Sequence, residues 1–190
     1  MLSKRYSSRT RVVPTLFVLI GTLLIAALVV PALSAGARDN EGRKVLEFET
    51  MAPVTGPFVG TANPVRGIGG GGLPWVIASG SGELAANGAL EVRVRGLVID
   101  PASAAAQAAG LAGVNPLSQF AVFVNCLTTT TPQQGTSVLA GLFAATRTGN
   151  MDAEANITLP RPCVAPIVFV TSPPTPTSPA RWFATTGVGG

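Results

Sequence analysis

Residues 87–95 hold the feature that most constrains what this chain can fold into. Asn87-Gly88 is a tight-turn signal, because both positions tolerate the positive φ that a two-residue hairpin demands. Directly after it, Leu90, Val92 and Val94 alternate with Glu91, Arg93 and Arg95, so an extended chain here has one apolar face and one charged face. The predicted partner is the stretch from Trp75 to about Leu84, antiparallel to Ala89–Ile99, with Gly96 interrupting the second strand. Its Ser79-Gly80-Ser81-Gly82 centre lacks bulk, which predicts a bulge or a close crossing of backbone.

The same period recurs downstream. Phe120, Val122, Val124 and Cys126 share one face of a strand over 119–127, and Phe123 makes the opposite face apolar too, as in a central strand covered on both sides. Ala155, Ile157 and Leu159 alternate with Glu154, Asn156 and Thr158 up to Pro160. Ile167–Val170 is a continuous apolar run of core-strand type, and Trp182–Thr185 returns beside it across the Pro-rich loop 172–179. Val45–Thr50 and Val138–Phe143 bring the count to seven or eight. Short strands divided by Gly, Pro and Asn turns predict an all-β fold, an antiparallel β-sandwich, immunoglobulin-like or similar, as a single domain over 43–190. The one helical pattern is Pro101–Ala109, with Asp100 as N-cap, Pro101 at the first helical position and Gly110 as the left-handed C′ residue. A mobile Ala-rich insertion is its alternative.

Charge is distributed unevenly along the chain. Lys4, Arg5, Arg9 and Arg11 precede Val12–Leu33, which carries no charge, and Leu33-Ser34-Ala35-Gly36-Ala37 follows. That order is the layout of an export signal, with cuts fitting after Ala35 or after Ala37. The other reading of residues 1–37 is an uncleaved N-terminal membrane anchor, since the run exceeds the roughly 20 residues a bilayer needs. Pro14 and Pro31 shorten its uninterrupted part to Thr15–Val30. Under either reading the membrane is met only through this segment. A short linker at 38–42 and the domain after it are then expected outside the cytoplasm, secreted or tethered.

Residues 1–37 hold 4 of the 13 basic residues and none of the 9 acidic ones. The overall pI of 9.8 therefore belongs to the leader, and the remainder is balanced. Its basic residues are scattered apart from Arg43-Lys44 and Arg93/Arg95, so no stripe exists to neutralise phosphates and no nucleic-acid partner is expected.

Catalytic chemistry has little to work with. The chain has no His, which removes Ser-His-Asp and Cys-His arrangements, and no tetrahedral metal set can be assembled. Lys44 is the only lysine after the leader and no S-x-x-K pattern surrounds it. Asp152 and Glu154 share one strand face, and Glu83 and Glu91 face each other across the hairpin on its solvent side; neither pair flanks a groove as glycoside chemistry requires. Gly67-Ile68-Gly69-Gly70-Gly71-Gly72 matches G-x-G-x-x-G, but Asn63-Pro64 precedes it and Leu73-Pro74 follows, where a dinucleotide site needs a strand and a helix. No cofactor is expected there.

The segment reads instead as a flexible loop whose glycines let it lie close over Trp75. Gly69, Gly70, Gly71 and Trp75 are thus the candidate ligand surface. Cys126 and Cys163, the only cysteines, read as a disulfide in an oxidising compartment, with two buried thiols as the alternative.

The run Gly70-Gly71-Gly72-Leu73-Pro74-Trp75-Val76-Ile77, the hairpin from Gly82-Glu83-Leu84 to Asn87-Gly88, the Phe120 to Cys126 strand and the segment Leu159 to Val168 resemble a group of exported bacterial all-β proteins of unknown function. The resemblance covers about residues 65–190. The strand–Asn-Gly–strand portion is also similar, generically, to secreted CHRD-type β-domains, whose typical histidines this chain lacks. What the resemblance implies is a secreted or surface-exposed β-domain with no catalytic or ligand residue to carry over. The functional expectation is a non-enzymatic domain with an interaction or structural role and a partner in the envelope or outside the cell. The alternatives are a secreted module binding a small ligand or a carbohydrate, and a membrane-anchored surface protein.

Overall fold

The computed structural model describes residues 42–187. The leader, the cleavage positions Ala35 and Ala37 and linker residues 38–41 lie outside the described residues. The strands are β1 (Lys44–Phe48), β2 (Ala52–Pro53), β3 (Trp75–Val76), β4 (Ser79–Ala85), β5 (Ala89–Arg95), β6 (Val98–Ile99), β7 (Gln119–Leu127), β8 (Thr136–Ala144), β9 (Met151–Asn156), β10 (Val164–Thr171) and β11 (Trp182–Thr185). One sheet has the order β1-β4-β5-β9, a second β2-β11-β10-β7-β8, and β3-β6 form a ribbon. Every named pair is antiparallel, which makes the domain all-β and sandwich-like. Where seven or eight strands were expected the described residues hold eleven, three of them (β2, β3 and β6) two residues long.

The hairpin at Asn87-Gly88 is present, and its register holds from Leu84↔Leu90 to Trp75↔Ile99. The second strand is interrupted at Gly96 as expected, and the first, expected to run unbroken from Trp75 to about Leu84, is broken at Ile77-Ala78. Gly96 takes φ +66, and a Cβ there would lie 2.8 Å from that of Ala78. The chain turns at this point, so the far half of the hairpin leaves the four-stranded sheet as β3-β6.

The Gly80/Gly82 stretch of β4 is a close crossing and not a bulge. Its pairing with β5 is regular, and side chains at these glycines would strike Met51 and Phe48. The inner face of this sheet buries Phe48, Leu84, Leu90, Val92, Val94, Met151 and Ala153, each alternating with an outward polar residue.

Strand β7 matches the predicted 119–127 and is buried on both faces. Phe120, Val122, Val124 and Cys126 share one face with Val168 and Val170 of β10, while Ala121 and Asn125 on the other face are equally buried. Residues 54–73 cover that second face, bringing Phe58 within 6.2 Å of Trp182 and Arg66 against Asn125.

Strand β9 starts and ends earlier than the sequence suggested. Asn156 pairs with Ala89 and Ile157 N donates to Gly88 O, after which β5 has turned away and offers no further partner. The phase was still legible, since Met151, Ala153 and Ile157 point inward.

The helix is α1 (Ala104–Ala108), shorter than expected and capped by Ser103, whose Oγ accepts from Ala106 N. Asp100 instead receives Ala102 N in a turn before the helix, leaving Pro101 outside it. At the other end Gly110 takes the expected positive φ. Gly110 N donates to Gln107 O and Leu111 N to Ala106 O, the paired bonds of a Schellman end.

Candidate functional site

Cys126 and Cys163 form a disulfide, with Cα atoms 4.8 Å apart. The bond joins the end of β7 to the residue before β10, its neighbour in the sheet, beside the Val164↔Leu127 pair. The ring it closes leaves the five-stranded sheet after β8, contributes β9 to the other sheet, and returns at β10. Loop entropy gives such a closure, of about 38 residues, roughly 3–4 kcal/mol.

Gly69, Gly70, Gly71 and Trp75 meet in space, but in the interior. Trp75 is 3% exposed, stacked on Phe183 at 4.1 Å and edge-on to Phe120 at 6.2 Å. The three glycines are buried as well. Trp182 N donates to Gly69 O and Gly71 N to Trp182 O, so the segment runs as a parallel extension of β11. Gly70 admits no side chain, and Gly71 would need its neighbours to give way. A Cβ on Gly70 would collide with Phe58 O and approach Val54 to 2.7 Å, and one on Gly71 would lie 3.1 Å from Phe183. These glycines therefore serve close packing over the aromatic cluster. An open cleft of about 390 Å³ borders them, walled by Leu73, Leu117 and Arg181.

The outer face of the four-stranded sheet carries most of the charge. Strand pairing sets Glu47 beside Glu83, Glu83 beside Glu91 and Glu91 beside Glu154, a glutamate row across all four strands. Like charges directly opposite repel. Lys44 sits between two of them, 2.8 Å from Glu47 and 2.6 Å from Glu83, and those hydrogen bonds hold its ammonium above the ordinary lysine value. Arg93 pairs with Glu91, and Arg95 lies 2.7 Å from Asp152. All these side chains are well exposed, so solvent screens the pairs and each contributes little. Among the described residues no group of three Asp, Glu, Cys or His side chains is placed to hold a metal ion.

Two features escaped the sequence reading. One is a groove of about 520 Å³ between residues 52–65 and the β10–β11 face, lined by Phe58, Val65, Ile167 and Trp182. Trp182 Nε1 is buried with no acceptor among the described residues. The other is Asn125. Its Nδ2 donates to Gln134 O and Ser137 Oγ while Oδ1 accepts from Arg66 Nη1 at 3.2 Å, tying the covering segment to the sheet. Burial pushes the Arg66 guanidinium below its ordinary value. An asparagine on the second face of an apolar strand was the only sequence signal available for this knot. Set against family models, curated proteins and solved structures, the chain finds no match in any of the three.

Proposed function

We propose that this chain is an exported, non-catalytic β-domain with an interaction or structural role in the cell envelope or outside the cell, akin to the exported bacterial β-proteins its sequence resembles. The disulfide carries the reading, because such bonds persist in oxidising compartments and are rare in the cytosol. The leader composition supports it independently. The burial of Trp75 and its glycines supports a structural framework over a ligand surface at that place. Fractionation of the host followed by intact mass tests it. The expected species is extracytoplasmic, starts at residue 36 or 38 and contains a linked Cys126–Cys163 peptide. A cytoplasmic protein with two alkylatable thiols would overturn the reading, and a full-length membrane-bound species would make it a tethered surface protein.

A secreted small-ligand module is the second reading. The groove at Trp182 favours it, being apolar and of ligand size. Titration of tryptophan fluorescence against a panel of lipids and glycans separates the two. A saturable shift lost in Val65→Glu, which puts a charge on the groove wall and keeps both tryptophans, would favour the ligand module. No shift with any member is the outcome expected from the first reading.

A further inference from the structure

Two sheets have four edges, and three of them carry the devices that discourage edge pairing. β1 bears Lys44 and Glu47, β9 bears Asp152 and Glu154, and β2 is two residues long and ends in Pro53. β8 is long and carries no charge and no proline, and is interrupted only by a bulge at Ala140–Gly141. It is nine residues, Thr-Ser-Val-Leu-Ala-Gly-Leu-Phe-Ala. Among the described residues its backbone makes no hydrogen bond outside the β7 ladder, so the donors and acceptors along its free side are available to another strand. Leu139 and Leu142 on it are 44% and 46% exposed.

The order of residues along β8 states what fits. The register shift against β7 leaves one extra residue at Ala140–Gly141, and Leu139 pairs with Phe123 while Leu142 pairs with Ala121. Both leucines therefore share a face although they are three apart. Val138 and Phe143, paired with Val124 and Phe120, share the opposite face. About a point between Ala140 and Gly141 the strand is close to a palindrome in size and in face, reading small, large, leucine, small, small, leucine, large, small.

We propose that β8 is a self-association edge. Two copies of the chain pair β8 with β8 antiparallel about a twofold axis between Ala140 and Gly141, merging two five-stranded sheets into one of ten strands. Leu139 then lies opposite the partner's Leu142 on one face, and Val138 opposite the partner's Phe143 on the other. Cross-strand pairs of this kind are the stabilising unit of a sheet, and an isologous contact closes on itself. The inference rests on reading the domain as an interaction or structural module. Its failure leaves that reading standing, because the export and disulfide measurements do not involve β8.

The experiment uses the exported protein recovered whole. Leu139→Cys and Leu142→Cys chains are produced separately and together, then oxidised mildly and run without reductant. In the proposed register position 139 of one chain faces 142 of the other within disulfide reach, whereas the two 139 positions are about 10 Å apart along the strands. Co-produced chains give a cross-linked dimer and neither chain alone does. No cross-link in the mixture, or equal cross-linking of a single variant, overturns the proposal. Sedimentation gives a second measurement. Wild-type protein is dimeric, and Leu142→Lys, altering a side chain already half in solvent, weakens association by about tenfold or more with an unchanged circular dichroism spectrum. A monomeric wild type overturns the proposal, including one that takes up an unrelated strand-forming peptide at β8.

Discussion

β5 and β7 are each flanked by two neighbours in an antiparallel sheet, yet their second faces are opposites. β5 alternates buried Leu90, Val92 and Val94 with Glu91, Arg93 and Arg95, and its charged side meets solvent. β7 buries Ala121 and Asn125 as completely as Val122 and Val124. The cause is the long segment after β2, which folds back over the five-stranded sheet and leaves the four-stranded one bare. That cover is almost free of regular structure. It is held by Arg66 on Asn125, by Phe58 against Trp182, and by glycines that let backbone run against backbone along β11. A sheet can thus gain a third layer from irregular chain, provided the backbone groups of that chain find partners.

The comparison breaks most visibly if outward positions on the two sheets respond alike. Phe169, buried on the second face of β10, is expected to lose about 3–5 kcal/mol on Phe169→Ala, while Glu91→Ala on the outer face of β5 stays within about 0.5 kcal/mol. Urea unfolding of both variants checks this, and similar midpoints would refute the layered picture.

Replacing both Cys126 and Cys163 by Ala should cost about 3–4 kcal/mol in the same measurement. A loss under about 1 kcal/mol would mean that packing alone holds the ring closed. The cover itself is probed by a neighbouring pair. Gly70→Ala is expected to destabilise by about 1–3 kcal/mol because its Cβ has no room, and Gly72→Ala, with nothing within 4 Å, to be neutral. Equal effects would show a cover that yields.

The smallest effect belongs to Lys44. Its folded pKa is raised, so its contribution is complete below the unfolded lysine value and is lost as pH rises through the folded one. Lys44→Ala should therefore lower Tm slightly and evenly across neutral pH at low salt, and not at all at high salt. A marked pH dependence near neutrality would contradict that assignment.

How much was legible depended on whether a pattern was local. The Asn87-Gly88 turn, the alternation of β5 and the doubly apolar β7 are set by neighbours in sequence, and all three appear as read. The interruption at Gly96 appears as read, but the matching break at Ile77-Ala78 was not readable, because it depends on Ala78 lying close to Gly96 across the pair. The end of β9 depends on where β5 turns, and the helix start depends on a competition between Asp100 and Ser103 for backbone donors. At the candidate site the residue types were identified and their setting was not. Gly69–Gly71 and Trp75 do come together, but whether they face solvent is decided by Phe183 and Phe58, far away along the chain. The glutamate row is likewise a product of register, invisible until four strands are aligned.

The disulfide also has a mechanical consequence. A pull applied to the two ends of residues 42–187 cannot extend the 37-residue separation between Cys126 and Cys163, because the load crosses the S–S bond directly. About 120 Å of contour is withheld from stretching. β8 and β9 sit inside that shielded span, while β1 and β11, the strands nearest the two ends, lie in the loaded path. A domain tethered at its leader would yield outside the ring, with the chain between the two cysteines left out of the loaded path.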